Sequence, residues 1–124
     1  MGTLFSIKTP ALLKVYLSTM SGQDIAAYMR NRPLHHYTDK SITDMEELLK
    51  EVRKTKESGF ALNLEEFREG IRAVTSPVFE RDKLKALLWV VGFSSSLDDE
   101  ALHSVTAHLV DTATRMTDML SGIA

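Results

Sequence analysis

Cysteine is absent from the 124 residues, which excludes a disulfide framework, a thiolate metal site and a cysteine nucleophile. Its absence fits a reducing compartment. Glycine is scarce at six residues and never clusters, so there is no phosphate-cradling glycine loop. With three prolines besides, no Pro/Gly-rich linker divides the chain. Charge of one sign is lacking too: 15 Lys and Arg stand against 17 Asp and Glu, a formal net charge of −2. That balance leaves no broad cationic surface to neutralise phosphates, so direct nucleic-acid contact by this chain is not expected. Long apolar runs are missing. A stretch such as Ala86 to Gly92 is far too short to cross a bilayer, and Thr3 to Thr9 lacks the basic-then-apolar order of a signal peptide. The expected location is cytoplasmic, with no membrane partner. What remains is 44% hydrophobic and 26% charged, as in an ordinary globular chain, and its length suits a single domain over residues 1–124.

Thr9-Pro10 predicts a helix start, with a threonine oxygen as N-cap and proline in the first turn, where an N–H would be unpaired anyway. The helix spans Ala11 to Met20, and Ser21 opens a second one carrying Ile25, Tyr28 and Met29 at helical spacing. Residues 31–40 are polar, contain Pro33 and read as a loop. Thr43 and Glu46 form a capping-box pattern before a third helix, whose core face is Met45, Leu48, Leu49 and Val52. Glu46 and Lys50 are spaced to pair on its surface, and Gly59 suits its C-cap.

The period then shortens. Phe60 to Leu62 reads as a strand, Leu64 to Gly70 as an acidic turn, and Ile71 to Phe79 with Leu84 to Phe93 as a hairpin with a charged tip. The second arm is apolar on both alternating faces, which predicts a strand inside a sheet covered on both sides. Pro77 cannot donate to a ladder and predicts a bulge or an unpaired edge. Ser96 is expected to cap a last helix from Leu97 to about Ser121, with Leu102, Val105, Leu109, Ala113, Met116 and Leu120 as its core stripe. The fold class is α+β with a largely antiparallel sheet. Two or three strands are few for a sheet needing two covers, so either another chain completes it or part of the domain lies outside this sequence.

No residue cluster asks for catalysis. His35-His36 with Asp39 lacks further ligands at a metal-binding spacing, and His103 and His108 are five apart rather than stacked at four. Glu65, Glu66 and Glu69 read as a solvated face of a charged loop, because acid–base work needs carboxylates in unlike environments. Ser94-Ser95-Ser96 has neither a partnered base nor a nucleophile-elbow pattern. Met45 and Met116 fall on core stripes and fill gaps there. No enzyme, cofactor or metal is expected.

Several segments, taken in order, resemble the effector domain of the isocitrate lyase regulator (IclR) family of bacterial transcription regulators. These are Leu34-His35-His36-Tyr37-Thr38, Ser41-Ile42-Thr43-Asp44, Ser58-Gly59-Phe60-Ala61-Leu62-Asn63 with Glu65-Glu66 and Glu69-Gly70-Ile71, then Ala73 to Phe79, and a closing strand ending at Gly92. The likeness runs from about Phe5 to the end. It implies a GAF-like (profilin-like) antiparallel sheet covered by helices, a small-molecule pocket on one sheet face, and assembly into dimers or tetramers. It also implies that the domain's N-terminal strands and a DNA-binding winged helix-turn-helix lie upstream, so the chain reads as truncated at its N-terminal side. The family's effector positions fall on Ala11, Leu12, Asn63, Ala73, Trp89 and Val91, with its lysine kept as Lys14. The anchors differ: the glycine turn is Ala11-Leu12-Leu13, the aspartate is Asn63, and two serines are Trp89 and Val91. A buried carboxylate needs several donors, and these positions offer one amide and one indole N–H. The departure disfavours a small oxo-acid and favours an apolar or aromatic effector stacked on Trp89. The alternative is a structural oligomerisation module whose pocket Trp89 fills.

Overall fold

The computed structural model describes residues 9–122. In chain order they form α1 (Pro10–Ser18), α2 (Gly22–Met29), α3 (Met45–Ser58), β1 (Ala61–Leu64), β2 (Ile71–Glu80), β3 (Lys83–Phe93) and α4 (Asp99–Leu120). The three strands make one antiparallel sheet in the order β1-β2-β3, so the expected α+β class and the hairpin both hold. The segment read at residues 3–8 lies outside the described residues.

Side chains alternate across the sheet and give it two lined faces. On one face Val74, Leu62, Leu88 and Val90 pack against Leu102 and Leu109 of α4. On the other, Ala61 and Leu87 meet Ala11 and Val15 of α1. A third cluster, Leu17, Ile25, Leu48 and Val52, joins α1, α2 and α3 into a helical layer outside the sheet. The short α1 thus belongs to two cores: Ala11 and Val15 face the sheet, and Leu17 faces the helices.

Local signals decide the ends of elements, with corrections. Thr9 is the N-cap of α1, but its side chain makes no cap hydrogen bond; its carbonyl accepts from Leu13 N at 2.9 Å. The cap of α3 is Asp44, accepting from Glu46 N, in place of a Thr43–Glu46 box. Asp98, accepting from Ala101 N at 2.9 Å, caps α4 in place of Ser96. Glu46 and Lys50 form no ion pair; on α3 it is Lys54 that meets Glu51, at 3.2 Å. Gly59 closes α3 in the left-handed region at φ 83, as its position required.

The largest correction concerns β3. It is an edge strand among the described residues, and none of its residues is fully buried. Its two apolar faces are therefore half-covered, with Trp89, Val91 and Phe93 exposed. The expected bulge is present: the β2–β3 register shifts between Val78 and Phe79, just past Pro77. Of the α4 stripe, Leu102, Leu109 and Ala113 are buried with Thr106, whereas Met116 and Leu120 are exposed, although Thr117 and Ser121 beside them accept from Phe79 N and Arg81 N of the hairpin. Met116 is consequently no core filler, while Met45 does pack against the helical cluster.

Candidate functional site: a sheet row, a buried ion pair and a cavity

The sheet register brings four of the six expected positions together. Asn63, Ala73 and Val91 are direct cross-strand partners, and Trp89 sits in the neighbouring row opposite Thr75, which is itself opposite Ala61. Residues paired in this way point to the same face, here the face covered by α1. Ala11, on the first turn of α1, packs against Ala61. Leu12 is buried next to it. Burial is uneven along the row: Asn63 and Ala73 are enclosed at 3% and 1% exposure, whereas Trp89 and Val91 remain 37% and 51% exposed. Thr75 Oγ1, also buried, has no hydrogen-bond partner. The sequence reading passed over Thr75, although alternation from Ala73 places it on this face.

Next to the row lies a buried ion pair that the sequence reading misjudged. Lys14, 2% exposed, donates from Nζ to both carboxylate oxygens of Glu66 at 2.9 Å and to Leu62 O at 2.8 Å. Glu51 Oε1 stands further off at 3.7 Å. Glu66 also accepts from Leu64 N, and its own backbone N–H donates to Asn63 Oδ1 at 2.9 Å. Glu66 is therefore a buried, fully engaged carboxylate rather than part of a solvated acidic face. Only Glu69 of the three is plainly exposed. An ammonium has three protons, and Lys14 places all of them on its own chain, so it has none to offer a ligand.

The loop bearing Glu66 is latched to residues 37–41. Thr38 Oγ1 donates to Glu65 O and Ser41 Oγ to Glu66 O, each at 2.6 Å. Lys40 Nζ meets Glu65 Oε2 at 2.9 Å, and Gly70 N donates to Glu65 Oε1 at 2.8 Å. The hydrogen bond from Lys40, helped by that from Gly70, holds the Glu65 carboxyl below the usual carboxylate range. A carboxyl lowered in the folded state contributes stability above its unfolded pKa and loses it as pH falls through the folded value. The protection factor of the Gly70 amide, which removes the intrinsic pH dependence of exchange, is accordingly expected to be high near neutrality and to fall only once pH drops below the ordinary carboxylate range. A Lys40→Met variant should lose that protection at a higher pH.

A cavity of about 360 Å³ opens on the outer side of α1. Leu13 and Lys14 of α1, Tyr28 and Met29 of α2, and Leu48 of α3 form its walls, and the 31–42 loop supplies its mouth. None of the six expected effector positions lines it. At the mouth, the Arg32 guanidinium lies 4.0 Å over the Tyr28 ring and donates from Nη1 to Tyr28 O at 2.7 Å. The histidines hold no metal-like set: His36 stands 4.0 Å from Asp39, both well exposed, and no cluster of three potential ligands occurs among the described residues.

Residues 1–118 match the family described as bacterial transcriptional regulator IclR C-terminal. Over 104 residues the chain is 25% identical to the HTH-type transcriptional regulator KipR of Bacillus subtilis (strain 168), covering 83% of this chain and 42% of that protein. The chain thus spans about two fifths of the length of the curated relatives it matches. Among solved structures, an IclR transcriptional regulator from Alicyclobacillus acidocaldarius superposes with a TM-score of 0.83 at 26% identity, covering 97% of this chain and 48% of that one. The inducer-binding domain of the PobR transcription factor from Acinetobacter, a double mutant in complex with 3-hydroxybenzoic acid, superposes with a TM-score of 0.84 at 20% identity. It covers 96% of this chain and 69% of that one. These likenesses bear out the GAF-like architecture. No helix of the described residues is long and apolar enough to cross a membrane.

Proposed function

Because this chain belongs to the IclR-type bacterial transcriptional regulators through their C-terminal domain, we propose that it senses a small molecule and transmits its binding to DNA-binding modules encoded outside residues 1–124. The observation that carries this reading is the shared face of the sheet row. Asn63, Ala73, Val91 and Trp89 line up beside the first turn of α1, with Ala11 and Leu12 at its start. The half-exposed indole offers a stacking surface, and the orphaned Thr75 hydroxyl beside it is a polar group awaiting a partner. No cation belongs to this row, and Lys14 is consumed by Glu66, so the effector is apolar or aromatic rather than a small oxo-acid. The regulator works in the cytoplasm as a dimer or tetramer, in which binding shifts the relative poses of the domains. It is a regulatory and not a catalytic protein, in keeping with its curated relatives, which are named as transcriptional regulators and a repressor.

The test uses the chain's single tryptophan, whose fluorescence reports on Trp89 alone. The first compounds to try are neutral hydroxyl-bearing aromatics such as phenol and 3-hydroxybenzamide, with 3-hydroxybenzoate as the charged comparison that should bind this row more weakly. An effector of this row quenches Trp89 and raises the melting temperature with occupancy, and Thr75→Val weakens a hydroxyl-bearing one about tenfold. Trp89→Ala should cost about 1–2 kcal/mol, against about 3–5 kcal/mol for a fully buried aromatic, because more than a third of the residue is already exposed.

A second reading is an oligomerisation module with a closed pocket, favoured by the burial of Ala11, Asn63 and Ala73 to 3% exposure or less. Under it, no compound moves the Trp89 signal, and Trp89→Ala instead alters the concentration dependence of assembly.

A further inference from the structure

We infer that the cavity on the outer side of α1 is a second ligand site, separate from the sheet row, and that it takes a small carboxylate with a compact apolar body. The proposal does not rest on the effector reading of the sheet row, since the two sites share no lining residue.

Charge selects the class of ligand. At the cavity base the two buried charges, Lys14 and Glu66, satisfy one another at 2.9 Å and leave no net charge on the floor. At the mouth stands Arg32, which takes part in no ion pair among the described residues. Its one side-chain hydrogen bond spends a single N–H of the five a guanidinium carries. The electrostatic balance of the site is cationic at the opening and neutral within.

Geometry adds preorganisation. The Arg32 Cζ lies 4.0 Å over the centroid of the Tyr28 ring, which is braced edge-on by Tyr16 at 5.3 Å. The hydrogen bond from Nη1 to Tyr28 O fixes the guanidinium against the end of α2. A guanidinium held by these two contacts presents its remaining donors as a fork suited to a carboxylate, with less side-chain freedom left to lose. Behind it, Leu13, Met29 and Leu48 supply apolar wall. A volume of about 360 Å³ lies at the small end of ligand pockets, which limits the apolar body to roughly one ring or a short chain.

The probe is cyclohexanecarboxylate, with the uncharged cyclohexanecarboxamide as its control, followed by amide chemical-shift mapping on the whole chain. Saturable shifts are expected in Leu13, Lys14 and residues 28–42. Binding by the carboxamide, and carboxylate binding by Arg32→Met, should each be weaker by about tenfold or more. Arg32→Lys keeps the charge without the fork and should recover part of the loss. Arg32 is exposed and outside every core cluster, so these variants retain the fold. The inference is overturned if the carboxylate produces no saturable shift at millimolar concentration, or if the carboxamide binds equally well. Shifts confined to Asn63, Ala73, Trp89 and Val91 would overturn it as well, while supporting the sheet row as the effector site.

Discussion

Glu66→Leu is expected to destabilise the protein by about 3–5 kcal/mol, because it strands an ammonium that the fold has withdrawn from water. Lys14 is 2% exposed, and with the Glu66 carboxylate gone its remaining acceptors are Leu62 O at 2.8 Å and a Glu51 oxygen at 3.7 Å. One carbonyl and one distant, partly solvated carboxylate do not replace two charge-assisted hydrogen bonds. The pair itself is a weak source of net stability, since burying two charges costs about what their attraction returns. A Lys14→Met/Glu66→Leu double variant should therefore recover most of the loss, and the double-mutant cycle should show strong coupling. Denaturant midpoints of the four proteins at neutral pH measure all of this. If Glu66→Leu costs under about 1 kcal/mol, as removal of an exposed pair does, Lys14 is better solvated than its position implies. A consequence for the site follows as well. Glu66 N donates to Asn63 Oδ1 and Glu66 O accepts from Ser41 Oγ, so this residue ties the sheet row to the loop that closes the cavity.

What sequence made legible here was whatever depends on neighbours in the chain. The α3 stripe, Gly59 as its terminator, the hairpin and the bulge near Pro77 all follow from spacing and from backbone chemistry that a few residues contain. Cap positions slipped by one or two residues for a related reason. Thr43 and Asp44, or Ser96 and Asp98, offer equally competent oxygen acceptors for the free N–H groups of a helix start, and the turn geometry chooses between them. Before α4 the choice is visible: Leu97 N still bonds to Phe93 O, and Leu97 tucks against Gly92, so the helix cannot begin until Asp98. Nonlocal facts were harder. The apolar pattern of β3 states what that strand is able to bury, not which strand lies beside it: the pattern predicts a covered strand, and among the described residues β3 is an edge, which leaves open the expected completion of the sheet from outside this sequence. Glu65, Glu66 and Glu69 look alike in sequence, and only Lys14, 52 residues from Glu66, decides which one turns inward. The row of Asn63, Ala73 and Val91 was reached through family resemblance, and the hairpin register independently aligns it. The cavity had no signal of its own, because its apolar walls are the same leucines and methionines that helical periodicity assigns to a core.

The double role of α1 leads to the other large effect. Leu17→Ala is expected to cost about 2–5 kcal/mol, the range for removing a buried leucine side chain that its surroundings cannot fully replace. Leu17 is fully buried and shares a cluster with Ile25, Leu48 and Val52, so a void there would be lined by three separate helices. Leu34 and Ile42, which frame the cavity, pack against the same cluster and would lose support with it. The sheet side of α1, Ala11 and Val15 against Ala61, is untouched by the substitution. Amide exchange should therefore quicken first in α2 and in the 31–42 loop, with β2 and β3 affected only as far as global stability falls. Leu120→Ala provides the contrast, since at 47% exposure in the last turn of α4 its loss should cost well under 1 kcal/mol, roughly as for a surface change. If exchange instead rises uniformly across helices and sheet in Leu17→Ala, the two layers unfold as one unit and α1 couples them more tightly than their separate cores suggest. In that case a ligand in the cavity would stabilise the sheet row as well, because α1 forms a wall of one and borders the other.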